Sequence, residues 1–165
     1  MQHKNRGMFL ESIINKTIIL YRKNNFAIFH KKPIPINFKS LQKEGNQLKV
    51  TEGWVGGKST TDYYGIYNGM FIAFEAKSVN GDSLPLSNIK EHQIRYIKEI
   101  NDHGGFGFFI VGFKSYNEYF LITAPILENL NRKSLTITTA REKGQPIELV
   151  YPGILDFAEL ITKNT

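Results

Sequence analysis

Apolar positions at Met8, Ile13, Ile14, Thr17, Ile18 and Tyr21 recur at helical spacing and predict a helix over residues 5–24. Asn24-Asn25 supplies its stop, since asparagine tolerates the left-handed backbone that ends helices. Residues 26–30, Phe-Ala-Ile-Phe-His, read as a short strand. Over residues 31–58 the pattern breaks. Pro33 and Pro35 block regular pairing, four glycines follow, and the stretch reads as a long irregular insertion. Two strands, 62–67 and 70–77, then meet at Asn68-Gly69, the strongest short hairpin signal. A helix over 86–103 carries Ile89, Ile94, Ile97 and Ile100 inward and stops at Gly104-Gly105. The unbroken apolar run 106–113 suits a strand buried on both faces. A strand over 116–122 and helices over 124–131 and 154–163 complete the chain. This order predicts an α/β fold, a mixed sheet flanked by helices, in one domain spanning residues 1–165.

Composition narrows the class. The 165 residues are 41% hydrophobic, enough for a core that needs no covalent staple. There is no cysteine, which excludes disulfides, thiolate metal sites and a thiol nucleophile, and fits a cytoplasmic location. No apolar run approaches the ~18 residues of a membrane span. Net charge is +6, and the six lysines and two glutamates of residues 31–58 contribute +4 of it. A basic excess gathered in one segment favours a polyanion, nucleic acid first. Arg6, Lys31 and Lys32 are the phosphate contacts this charge suggests; each is equally readable as ordinary surface charge.

The chemistry centres on the Asn68-Gly69 hairpin. Glu75 and Lys77 sit two apart on one strand and project from the same face. Folding the hairpin returns Asp62 toward Glu75. Two neighbouring carboxylates repel unless a proton or cation lies between them, and hard oxygen ligands suit Mg²⁺, with Mn²⁺ as substitute. Such an ion assists phosphodiester hydrolysis, and an adjacent ammonium can stabilise the developing charge. A plain surface salt bridge between Glu75 and Lys77 is the alternative.

The same residues resemble a known family. Asp62, Glu75 and Lys77 match the D…(D/E)-x-K signature of restriction-endonuclease-like nucleases. Asn5-Arg6-Gly7-Met8, His30-Lys31-Lys32-Pro33, Ser59-Thr60-Thr61-Asp62-Tyr63, Phe74-Glu75-Ala76-Lys77 and His92-Gln93-Ile94 follow the order and spacing of RecU-type Holliday junction resolvases. The resemblance implies a restriction-endonuclease-like fold and a Mg²⁺-dependent homodimer that cuts four-way DNA junctions by paired symmetric nicks, in recombination and repair. It implies a metal shell of Asp62 and Glu75 completed by Thr60 and Gln93, with Lys77 stabilising the transition state. It further implies a stalk between the first two strands that enters the junction; by position this is residues 32–58. Some members also modulate a strand-exchange recombinase.

A helix glutamate faces the metal in related nucleases, and Glu11 on the first helix is the candidate for that place here; the plainer reading is a solvated or paired helix carboxylate. Trp54 and Phe38 in the insertion are candidates to stack on exposed bases. Two rival functions stand beside the resolvase. One is a nuclease of the same fold acting on duplex or flapped DNA, and the other is a non-catalytic junction-binding or recombinase-regulating protein.

Overall fold

The computed structural model describes residues 8–57 and 60–164. Helix α1 (Met8–Lys23) precedes strand β1 (Ile28–Lys31), a hairpin of β2 (Ile36–Glu44) and β3 (Gln47–Val55), then β4 (Tyr63–Tyr67), β5 (Met70–Val79) and the short β6 (Ser83–Pro85). Helix α2 (Glu91–Asp102) leads into β7 (Phe106–Phe113) and β8 (Glu118–Ile122). After α3 (Ala124–Glu128) come β9 (Ser134–Thr136), α4 (Ile137–Lys143), β10 (Gln145–Ile147), β11 (Leu149–Val150), β12 (Ile154–Leu155) and α5 (Ala158–Asn164).

The main sheet has the order β1-β4-β5-β7-β8-β10. Only β5 and β7 pair in parallel; α2 lies on the crossover between them, as a parallel connection requires. The sheet separates two apolar cores. On one face Leu10, Ile14 and Ile18 of α1 and Ile161 of α5 pack on Phe29, Tyr63, Phe74 and Phe108. On the other, Ile97 of α2, Leu127 of α3 and Ala140 of α4 cover Phe109, Val111, Phe120 and Ile122. Every residue of β7 is buried, as its unbroken apolar run demands. Gly107 lets α2 approach closely: a Cβ there would lie 2.9 Å from both the Ile97 side chain and its carbonyl oxygen. No helix among the described residues is long and apolar enough to cross a membrane.

Several sequence expectations change. Residues 36–55 are not irregular. They form a regular antiparallel ladder from Ile36↔Val55 to Glu44↔Gln47, with register shifts around Ser40. Pro33 and Pro35 stand just outside it, where their missing N–H groups interrupt nothing. The hairpin is its own two-stranded sheet, and every residue of β3 is exposed. Its charge also differs from the expectation for the whole insertion. Between Ile36 and Val55 there are three lysines and two glutamates, and both glutamates are paired, Glu52 with Lys39 at 3.5 Å and Glu44 with Lys49 at 3.0 Å. The basic excess therefore sits at the root, at Lys31 and Lys32. The helix expected over 86–103 begins only at Glu91, after a 3-10 turn, and that expected over 154–163 begins at Ala158, after β12.

Candidate active site

Asn68 and Gly69 adopt φ of 49° and 79°, the paired positive values of a tight hairpin turn, and set the β4–β5 register from Tyr67↔Met70 to Tyr63↔Phe74. There the ladder ends, because β4 has not yet begun at Asp62. β5 runs on beside β7, so the Ala76 N–H has no β4 partner. The Asp62 side chain takes it, accepting on Oδ2 at 3.1 Å. The Asp62 carbonyl in turn accepts from the Lys32 N–H at 2.7 Å. The carboxylate is thus fixed at the mouth of the split between the strands.

Alternation decides what β5 presents. Phe74 points into the α1 core, stacked between Tyr63 at 4.9 Å and Phe108 at 5.1 Å. Glu75 therefore points to the opposite face, toward α2, and is only 2% exposed. Its Oε1 accepts from Lys77 Nζ at 2.7 Å and from Gln93 Nε2 at 2.5 Å. Its Oε2 is buried with no hydrogen-bond partner among the described residues. Burial foremost, then the charge of Asp62, pushes the Glu75 carboxyl up to about 7, against the opposing pull of Lys77.

Gln93 occupies the first turn of α2. Its Oε1 accepts from the Lys90 N–H at 3.0 Å, half of a capping box, while its nitrogen faces Glu75. The reverse orientation would set oxygen against carboxylate and N–H₂ against N–H, so both neighbours fix the amide.

Thr60, two residues before Asp62, accepts on its hydroxyl from Lys32 Nζ at 2.7 Å. Glu11 does not join Asp62 and Glu75: α1 packs on the opposite sheet face, and Glu11 pairs with Lys31 there at 2.5 Å. Arg6 lies outside the described residues, as does Ser59. Sequence reasoning missed Tyr63. Its hydroxyl donates to Asn15 Oδ1 at 3.0 Å, and its ionisation is pushed up by burial first and then by the charges of Glu11, Asp62 and Glu75.

This donor set fits a hard divalent cation. A buried carboxylate oxygen without a donor, next to a second carboxylate, is expensive until a cation or proton reaches it. Among the described residues no third acidic, histidine or cysteine side chain completes a cluster, so the chain would supply two charged ligands and leave the rest to neutral oxygens.

The chain resembles a solved Holliday junction resolvase, Hjc of Archaeoglobus fulgidus, with a TM-score of 0.51 over 82% of this chain and 94% of that one; identity is 8%, so the likeness is one of fold. Curated relatives named Holliday junction resolvase RecU are far closer in sequence. The protein of Mycoplasmopsis pulmonis is 43% identical over 95% of this chain and 94% of its own length. That of Ureaplasma parvum is 36% identical over 98% of this chain and 94% of its own. The family described as RecU, Recombination protein U, matches residues 5–163, and the chain belongs to it.

Proposed function

We propose that this chain is a Mg²⁺-dependent endonuclease that resolves four-way DNA junctions, acting as a homodimer in the cytoplasm. The observation that carries the reading is the convergence of Asp62, Glu75 and Lys77, with one buried oxygen left without a donor, in a chain of the RecU family.

Asp62 and Glu75 would hold the cation, with Mn²⁺ able to replace Mg²⁺. When bound, the ion supplies Lewis acidity, acidifying an attacking water and offsetting charge on the scissile phosphate. The chain's own groups do the rest. Lys77 is tethered to Glu75, and its side chain is 20% exposed, so its ammonium stands at the rim where a non-bridging phosphate oxygen would arrive. Gln93 holds Glu75 in place through its nitrogen. Its oxygen is engaged by the helix cap, so we assign it to bracing Glu75 in place of metal ligation. Thr60 would supply a neutral oxygen to the ion in place of its hydrogen bond from Lys32.

Lys31 and Lys32 would neutralise phosphates at the root of the β2–β3 hairpin, and the hairpin would enter the junction opening. Its near-neutral charge and exposed Phe38 and Trp54 point to shape and stacking as its means of recognition. A four-way junction must be cut on two symmetric strands, and each chain carries one Asp62–Glu75 site, so two copies act together.

The deciding experiment compares cleavage of a four-way junction with that of linear duplex of the same sequence in Mg²⁺. Strong preference for the junction is expected; equal rates would sink the resolvase reading in favour of a general duplex nuclease.

A further inference from the structure

Lys32 is fastened at two points to the segment that carries Asp62. Its backbone N–H donates to the Asp62 carbonyl at 2.7 Å, and its ammonium donates to the Thr60 hydroxyl at 2.7 Å. Its neighbour Lys31 is exposed and pairs with Glu11 of α1, whereas Lys32 is half-buried and its partner is a neutral oxygen. Pro33 and Pro35 follow, and the Gly56 N–H closes the hairpin root on the Pro35 carbonyl at 2.8 Å. Two fixed φ angles stiffen the link from Lys32 to β2. Lys32 therefore stands between the hairpin and the acids.

The Thr60 contact is of a kind that a ligand can exchange. An ammonium binds an ionised phosphate oxygen more strongly than a neutral hydroxyl. It also opposes a second cation on the same oxygen. A hydroxyl can accept twice, but an ammonium and a divalent ion on one oxygen are neighbouring like charges, and each disfavours the other. Lys77 differs in this respect. It takes Glu75 Oε1 and leaves Oε2 open, whereas Thr60 has a single side-chain oxygen and Lys32 is on it.

We propose that Lys32 is a latch between substrate and cation. In the DNA-free chain its ammonium holds Thr60 and weakens ion binding at Asp62 and Glu75; a backbone phosphate at the hairpin root draws it away. Thr60 is then free, one positive charge has left, and the site takes its ion with substrate in place. Lys32 is a positioning residue in this role, because it acts through Thr60. The inference rests on the resolvase reading, which assigns the ion to Asp62 and Glu75 with Thr60 completing its shell. By linkage the coupling is reciprocal. The factor by which junction DNA tightens ion binding is the factor by which the ion tightens DNA binding. Metal-dependent hydrolysis is thereby restrained until DNA is seated at the hairpin root.

The test measures Mn²⁺ binding to the full chain, from the loss of the free-ion EPR signal, for the wild type, Lys32→Met, Lys32→Arg and Lys31→Met. Without DNA, Lys32→Met should bind Mn²⁺ ~5–10-fold tighter than wild type, since a like charge has been removed. Lys32→Arg keeps the charge and should stay within ~2-fold of wild type, as should Lys31→Met, whose lysine is held by Glu11. A four-way junction is then added in a Lys77→Ala background, which slows cutting ~10²–10³-fold. Phosphate oxygens of the junction add to Mn²⁺ binding with or without Lys32, so the latch is read as the difference: the gain should be ~5–10-fold larger with Lys32 than with Lys32→Met. Circular dichroism checks the fold, and Lys32→Gln takes the place of Lys32→Met if that variant does not fold. Mn²⁺ affinity in Lys32→Met that is equal to or weaker than wild type, an equal tightening in Lys31→Met, or a junction gain independent of Lys32 overturns the latch, while the resolvase reading stands. Absence of Mn²⁺ binding in every variant, with and without junction, overturns both.

Discussion

Asp62 reaches across the open end of the β4–β5 ladder and accepts the Ala76 N–H on its Oδ2 at 3.1 Å. One side chain thus closes a gap in the sheet and stands next to Glu75. The two roles separate by substitution. Asp62→Asn keeps an acceptor for Ala76 and removes the charge; Asp62→Ala removes both. We expect the Asn variant to melt within a degree or two of wild type and to lose ~10³-fold or more of Mg²⁺-dependent cutting while binding junctions normally. The Ala variant should lose on the order of 1–2 kcal/mol in addition, because a part-buried N–H is left unpaired. Thermal melts and single-turnover cleavage measure the two effects; cutting that survives in Asp62→Asn would remove Asp62 from the metal site.

Glu75 makes stability depend on pH in an unusual direction. In the folded chain its carboxyl titrates near 7, against an ordinary value of 4.5. Between these values the unfolded chain has already released a proton that the folded chain still holds. Stability from this group therefore falls as pH rises from about 4.5 to 7, and the full penalty, on the order of 3 kcal/mol, applies above that. Melting in EDTA should show the metal-free protein less stable at pH 8 than at pH 5.5. Glu75→Gln, which keeps an acceptor for Lys77 and Gln93, should lose that part of the slope. Mg²⁺ at pH 8 should restore the wild type alone. At limiting Mg²⁺, cleavage should rise with pH as the Glu75 carboxylate forms and takes up the ion, and saturating Mg²⁺ should move that rise to lower pH.

Gln93 offers a test of bracing against ligation. Removing it in Gln93→Ala frees the Lys90 N–H and one donor to Glu75, which should lower stability by ~1 kcal/mol and cutting by ~10–100-fold. Gln93→Met keeps the bulk without either polar group. If the amide braces Glu75, its side-chain N–H₂ signals in NMR should stay in hydrogen-bonded positions when Mg²⁺ is added. Their collapse to free-amide shifts would show that the oxygen has turned to the ion.

The hairpin can be removed without tearing the fold. Its root is closed by the Gly56 N–H donating to the Pro35 carbonyl at 2.8 Å, so a Gly-Gly link can replace residues 36–55. The shortened chain should fold, keep duplex binding, and lose its preference for junctions. Lys31→Ala and Lys32→Ala should instead weaken binding to junction and duplex alike, each reducing the slope of log affinity on log salt by about one. An unchanged junction preference after deletion would discard the stalk role.

How much of this was legible in the sequence follows from where periodicity and burial coincide. Asp62, Glu75 and Lys77 could be brought together on paper because an Asn-Gly turn fixes register and a strand fixes side-chain direction. The β2–β3 hairpin could not. Its Ile36/Phe38 and Leu48/Val50 alternation is genuine, but both faces are exposed, and the nearby prolines and glycines read as breakers. Helix α4, Ile-Thr-Thr-Ala-Arg-Glu-Lys, is short and polar, and β10 contains Pro146, tolerated because it is an edge strand. The orientation of Gln93 was hidden for another reason. A capping box announces itself by serine or threonine at the cap, and here that position is Lys90, which contributes only its backbone.

The wholly buried β7 has a consequence for how the protein survives in a crowded cell. Phe106–Phe113 carries neither charge nor proline, and it is concealed by α1 and α5 in the core on one face and by α2, α3 and α4 on the other. Before that docking it is a segment suited to stacking on copies of itself. Native β5 pairs along it through a non-local parallel connection, which forms late. Newly made chains therefore divide between enclosing this strand and aggregating through it, and heat-treated enzyme should precipitate instead of recovering on cooling.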